Sequence, residues 1–181
     1  GRSGQRITFY ELDPAVARVA QRSFRYLAES AASCQVVLGD ARQQLRQDPA
    51  ARAARYDLLI TDAFSSDAIP LHLLTREALA LYLERLAPQG LLLFNLSNRY
   101  FYLPPVLGDL AAALGLHGRA QEIAGDAALL RERSLWVVLA RREADLGALA
   151  ADPRWRPLPA GRPERALRDE RGSLLPALRP R

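Results

Sequence analysis

Methionine and lysine are both absent from the 181 residues, and cysteine occurs once, at Cys34. A lone cysteine excludes an internal disulfide and cannot by itself make a metal site. Placed just ahead of a strand, it is expected to serve as a small apolar residue. With no cluster of cysteine or histidine, no metal is expected. No stretch approaches the ~20 apolar residues of a membrane span, and no signal-peptide pattern is present. The lack of lysine makes all 25 basic residues arginine. Together with abundant Ala and Leu, this reads as a GC-rich coding bias rather than a design for phosphate binding. The net charge of +5 can steer anions. The arginines are spread out, however, and are densest after residue 150, with no basic stripe interleaved with aromatics. Nucleic acid is therefore not an expected partner. No Gly-x-Gly-x-x-Gly loop is present; Gly1-Arg-Ser-Gly4 is too short and precedes no helix. Ser65 and Ser66 lie outside any Gly-x-Ser-x-Gly elbow, which argues against acyl transfer. At 49% hydrophobic and 25% charged, the composition is globular and the length allows one real core. The absence of an initiator methionine leads to the expectation of a processed or truncated chain.

What is present is an alternation of strand and helix. Ile7–Leu12 alternates and is β-rich, so it is predicted to be a strand ending at Glu11 or Asp13. Asp13-Pro14 then opens a helix, with Asp as cap and Pro at the first helical position. Val16, Val19, Ala20, Phe24 and Leu27 give that helix one apolar face. Gln35–Leu38 is a short strand ending in Gly39-Asp40, followed by a polar helix over 41–47. Tyr56–Thr61 is predicted to be a buried strand. Thr75 caps a helix with the face Leu79, Tyr82, Leu83 and Leu86, which Pro88-Gln89-Gly90 ends. Leu91–Leu96 is the next buried strand. Pro104 or Pro105 opens a helix that stops at Gly115. His117–Ile123 and Ser134–Ala140 suit an antiparallel pair, and a short helix is expected over 143–150. Residues 1–150 are read as one Rossmann-like domain, and 151–181 as a Pro/Arg-rich extension packing on it with Trp155 as an anchor. Trp136 is expected in the core. The fold class is α/β, mostly parallel and doubly wound, with an antiparallel pair at the carboxyl-terminal end.

Ligands of such sheets lie beyond the carboxyl ends of the strands. Those ends carry Glu11 and Asp13, Asp40, Asp62, and Asn95 through Asn98. The most informative stretch is Asp57-Leu-Leu-Ile-Thr-Asp-Ala-Phe-Ser-Ser-Asp-Ala-Ile-Pro70. Its apolar run delivers Asp62 to a small-residue loop holding a second carboxylate, Asp67. Two carboxylates with little positive charge nearby suit a cationic substrate or proton abstraction from an amine; the alternative is a helix cap or a solvated loop. Glu11 can accept from both hydroxyls of a ribose, with Asp13 beside it as the expected helix cap. Asp40 can accept from an exocyclic amine or cap its helix. His72 can shuttle protons or merely begin the next helix, and His117 is given no role. Asn98, Arg99, Tyr100 and Tyr102 follow a strand end and can line the pocket or form the floor under the next helix.

Five stretches together resemble the spermidine synthase family of aminopropyltransferases on the class I methyltransferase fold. They are Phe9-Tyr-Glu-Leu-Asp-Pro14, Leu38-Gly-Asp-Ala-Arg42, Tyr56–Pro70, Leu91–Tyr100 and Leu167–Leu175. The likeness is to the bacterial spermidine synthase-like domains fused to membrane segments, and it covers most of the chain. The resemblance implies a transferase of polyamine biosynthesis. Glu11 and Asp13 would hold the ribose of decarboxylated S-adenosylmethionine, a co-substrate rather than a prosthetic group. Asp40 and Ala41 would recognise its adenine, Asp62 would take a proton from the attacking amine, and Asp67 and Tyr100 would bind a diamine such as putrescine. It also implies a cytoplasmic domain and is compatible with an upstream membrane segment and a homodimer. The family's Asp-Ser-Ser-Asp loop is longer here by Ala63 and Phe64. Its first strand, which lies between those ending at Glu11 and Asp62, is absent with its glycine-rich loop. The chain is accordingly expected to be the carboxyl-terminal part of a larger enzyme. The competing readings are an S-adenosylmethionine-dependent methyltransferase, whose co-substrate carboxylate suits an acidic loop poorly, and a non-catalytic nucleoside-binding fragment.

Overall fold

A computed structural model describes residues 1–53, 55–64, 69–126, 128, 130, 132–170, 172–174 and 177–178. The chain forms two compact units, Gly1–Ala54 and Arg55–Arg181.

The first unit is built on a parallel pair, β1 (Arg6–Glu11) and β2 (Ser33–Leu38), in a register that sets Glu11 opposite Leu38. Helix α1 (Pro14–Ser23) begins where the sequence signals it, with the Asp13 carboxylate accepting from Ala15 N at 2.7 Å. Its expected apolar face is corrected. Ala17 is buried, but Val16, Val19 and Phe24 are exposed. The physical reason is the narrow surface that a two-stranded sheet offers; Ala20 and Leu27, on the same expected face, are half-buried. Helix α2 (Ala41–Gln47) starts at Asp40, whose Oδ1 accepts from Gln43 N at 2.8 Å. A short helix α3 (Pro49–Ala53), not anticipated, follows.

The second unit carries a sheet of order β3-β4-β6-β5-β7. Strand β3 (Tyr56–Thr61) pairs in parallel with β4 (Leu86–Asn95). Strand β6 (Ser134–Ala140) lies antiparallel to both β4 and β5 (His117–Ile123). The two-residue β7 (Arg156–Pro157) closes the far side. Strand β3 is an edge strand and is not fully buried as expected: Leu58 is 47% and Ile60 51% exposed.

Helix α4 (Arg76–Arg85) is shorter than predicted, and Leu86 through Gly90 belong to β4 rather than to the helix and its stop. Three backbone carbonyls at this junction, those of Leu83, Ala87 and Pro88, are taken by the Arg141 guanidinium. The arginine thereby ties the carboxyl end of α4 to the first residues of β4. Helix α5 (Pro104–Leu114) ends at Gly115 in the left-handed conformation, φ 65°. One face of the sheet packs Leu91, Leu93, Val138 and Ala140 against Leu146 and Trp155. Trp155 therefore acts as the expected packing anchor, while Trp136 is only half-buried. Alternation places Leu92, Phe94, Val137 and Leu139, all buried, on the opposite face.

The carboxyl-terminal segment is tied to α4 and to the loop before α5. Arg76 N donates to Leu167 O at 2.8 Å, and Tyr102 N to Ala177 O at 2.8 Å. Thr75 caps α4 by accepting from Ala78 N at 3.2 Å, and its hydroxyl donates to Asp169 Oδ1 at 2.7 Å. Thr75→Ala removes the cap and leaves Asp169 short of a donor. It is expected to cost about 1–2 kcal/mol of stability, measured by urea unfolding followed by tryptophan fluorescence. Both tryptophans, Trp136 and Trp155, lie in this unit.

Candidate functional site

In the first unit the carboxyl ends of β1 and β2 stand side by side. Gly39 N donates to Glu11 O at 2.9 Å across the strand ends, and Gly39 adopts φ +126°, which favours glycine. Glu11 Oε1 accepts from Asp13 N at 2.9 Å. This bond orients the carboxylate while leaving it acceptor capacity for a diol. Asp13 and Asp40 are both helix caps, as the more ordinary reading of each held, and Ala41 is the first residue of α2.

In the second unit Asp62 is exposed and immediately follows β3. The two extra residues of its loop have a structural explanation. Phe64 is 0% exposed, and its ring lies 6.5 Å from that of Phe94, the fully buried residue near the end of β4. The loop is thus anchored into the core two residues after Asp62. Asp67 lies outside the described residues. His72 sits in a short 3₁₀ turn, Leu71–Leu73, just ahead of α4.

The polar run after β4 is more ordered than its sequence suggested. Asn95 Oδ1 accepts from Ser97 N at 3.1 Å, and Ser97 Oγ accepts from Leu135 N at 3.1 Å. Asn98 Oδ1 accepts from Tyr100 N and Phe101 N, both at 2.9 Å, and its Nδ2 donates to Phe64 O at 2.9 Å. Asn98 therefore joins the acidic loop to the loop that bears Tyr100. Sequence reasoning noted these asparagines as polar residues at a strand end, with Asn98 lining the pocket or forming the floor under the next helix, and not as a tie between loops. The signal it could have used is the Asn-Leu-Ser-Asn spacing, since Asn side chains bond backbone groups two residues on. Tyr100 is 45% exposed, with the Arg99 guanidinium 6.0 Å from its ring centroid. One ring face is thus already engaged by a cation.

Two other polar features do not contribute to this end of the sheet. An open cavity of about 840 Å³ is lined by Asp57, Ala87, Pro88, Gln89, Arg141 and Arg142, at the opposite end of β3 from Asp62. Its Arg141 is committed to backbone carbonyls, and Arg142 is paired with Asp145. That hydrogen-bonded pairing holds the Asp145 carboxylate below its usual range. His117 lies 3.2 Å from Glu143, which also pairs with Arg119, so it belongs to a separate polar cluster. Among the described residues there is no cluster of His, Cys, Asp and Glu able to hold a metal, and no helix long and apolar enough to cross a membrane.

No family model matches the chain. In sequence it is similar to a polyamine aminopropyltransferase of Vibrio vulnificus (strain CMCP6), with 34% identity over 85 residues. That match covers 47% of this chain and 27% of the relative, so it spans about a quarter of the relative's length. In fold it is similar to a probable spermidine synthase from Corynebacterium glutamicum ATCC 13032. The TM-score is 0.52 at 17% identity, covering 85% of this chain and 67% of that one. MnmC2 from Aquifex aeolicus gives a TM-score of 0.45 at 19% identity, over 84% of this chain and 51% of that one.

The fold is therefore a mixed α/β architecture similar to that of the probable spermidine synthase, and in each unit polar residues follow the carboxyl ends of the parallel strands. In fold the chain is spermidine synthase-like, and the relative it matches in sequence is named a polyamine aminopropyltransferase.

Proposed function

We propose that the chain contributes the amine-activating and nucleoside-binding ends of an enzyme that transfers an aminopropyl group from decarboxylated S-adenosylmethionine to a diamine such as putrescine. The observation that carries this reading is Asp62. It is a solvent-accessible carboxylate directly after a strand, on a loop held in place from its own core-buried Phe64. A diamine arrives protonated, and an ammonium has no lone pair with which to attack. Asp62 binds the cation and takes one proton. The freed nitrogen then attacks the aminopropyl carbon bonded to sulfur. The new C–N bond forms as the C–S bond breaks, and its electron pair goes to sulfur, so the positive sulfonium leaves as neutral methylthioadenosine. Because the leaving group needs no protonation, the remaining task is in-line positioning. Glu11 holds the ribose hydroxyls, Asp40 with Ala41 faces the adenine, and Asp67 and Tyr100 hold the far end of the diamine.

The test is a chromatographic assay for methylthioadenosine, with putrescine as acceptor and either decarboxylated or intact S-adenosylmethionine as donor. Putrescine-dependent release from the decarboxylated donor alone supports the proposal. Release of S-adenosylhomocysteine from the intact donor would replace it with a methyltransferase. Binding of a nucleoside without turnover, in a protein carrying all the sequence that accompanies this chain naturally, would replace it with a binding domain.

A further inference from the structure

Hydrogen bonds from the side chain of Asn98 span two loops. Its Nδ2 donates to the carbonyl of Phe64, 34 positions earlier, and its Oδ1 accepts from the amides of Tyr100 and Phe101. The stem of the residue is itself fixed. Leu96 N donates to Leu135 O at 2.7 Å, and Ser97 Oγ accepts from Leu135 N, so the backbone on its amino-terminal side is tied to the start of β6. Only a primary amide offers a donor and an acceptor at one trigonal carbon, at the short reach this position allows. A hydroxyl cannot span both loops, and a carboxylate has no donor for Phe64 O.

We propose that Asn98 is a positioning residue for the amine substrate, setting the distance between the Asp62 carboxylate and the Tyr100 loop. This rests on the aminopropyl-transfer reading of the same site. Phe64 fixes the depth of the acidic loop by burying its ring, but a ring in a pocket leaves the backbone free to rotate about it. The Asn98–Phe64 bond removes that freedom two residues from Asp62. A small displacement there matters, because productive geometry is held to about 0.5 Å. The nucleoside end of the reaction, at Glu11 and Asp40, makes no use of this bond.

The experiment compares Asn98→Asp and Asn98→Ala with the unaltered protein. Asn98→Asp keeps the acceptor for Tyr100 N and Phe101 N but loses the donor to Phe64 O; Asn98→Ala loses both. Hydrogen–deuterium exchange is read on peptides covering 62–64 and 99–101. Asn98→Asp is expected to speed exchange only in the first, and Asn98→Ala in both. In steady-state kinetics, the KM for putrescine is expected to rise at least about tenfold in both variants, the effect of displacing a positioned binding group. The KM for decarboxylated S-adenosylmethionine is expected to stay within about twofold, since the bonds to Phe64, Tyr100 and Phe101 all lie in the unit that carries Asp62. If the unaltered protein shows no transfer, the functional reading fails, while the exchange pattern still decides whether Asn98 clamps the two loops. If transfer is present and Asn98→Asp changes neither the putrescine KM nor exchange at 62–64, the proposal is overturned. Equal rises in both KM values, or faster exchange throughout Arg55–Arg181, also overturn it, because they mark general support of the fold.

Discussion

Replacing Asp62 with asparagine is expected to lower kcat for aminopropyl transfer by at least about 100-fold, within the range that a positioned proton acceptor supplies. Asparagine retains the size and one acceptor oxygen but can neither accept the ammonium proton nor balance its charge. The side chain is exposed, so the substitution leaves no buried group unsatisfied. The unfolding midpoint should stay within a few degrees, as for most surface changes of about 0.5 kcal/mol or less. The natural control is Asp57→Asn. Asp57 is an exposed acid on the same strand but at its amino end, where it lines a cavity together with Arg141. A general dependence of activity on negative charge along β3 would affect both variants. A local role would affect only Asp62. A kcat within threefold of the unaltered protein for Asp62→Asn would remove this residue from the mechanism.

The second large effect is structural and comes from Phe64. Truncation to alanine empties a fully buried site against Phe94. Phe→Ala changes in cores cost about 3–5 kcal/mol, and a loop can collapse partly into the space, so about 3 kcal/mol is expected here. For a chain of this length, that corresponds to a fall in Tm of roughly 6–12 °C. Trp136 and Trp155 report unfolding of the unit that contains the change. Phe64→Leu, which keeps most of the apolar volume, should recover more than half of the loss. If Phe64→Ala unfolds at the same urea concentration as the unaltered protein, the ring is not anchoring the loop. Activity should fall in Phe64→Ala even well below its unfolding midpoint, because Asp62 loses its support.

Much of this organisation is legible in the residues themselves. The helix starts at Asp13, Asp40 and Thr75, and the stop at Gly115, follow from local capping chemistry, which a sequence displays directly. The antiparallel pair β5 and β6 was visible in two β-rich runs. The burial of several apolar residues was not legible, for one physical reason. Whether an apolar residue is covered depends on how many strands lie beside it, and no local pattern states that number. Val16 and Val19 have helical periodicity but only a two-stranded sheet to pack on, and Leu58 and Ile60 sit on an edge strand. Pro88 and Gly90 read as a helix stop because both disfavour helix, yet both are accommodated within β4. At the candidate site the carboxylates were visible as acids after strands. What holds the Asp62 loop was hidden, because Phe64 reads as an intrusion in a polar loop and Asn98 acts across 34 positions.

The burial of Phe64 also fixes the length of chain between the end of β3 and the core. Adding or deleting a residue between Thr61 and Phe64 would shift Asp62 bodily. The quantity a redesign of this loop has to hold constant is therefore the two-residue spacing from Asp62 to Phe64, whatever side chain stands at 63.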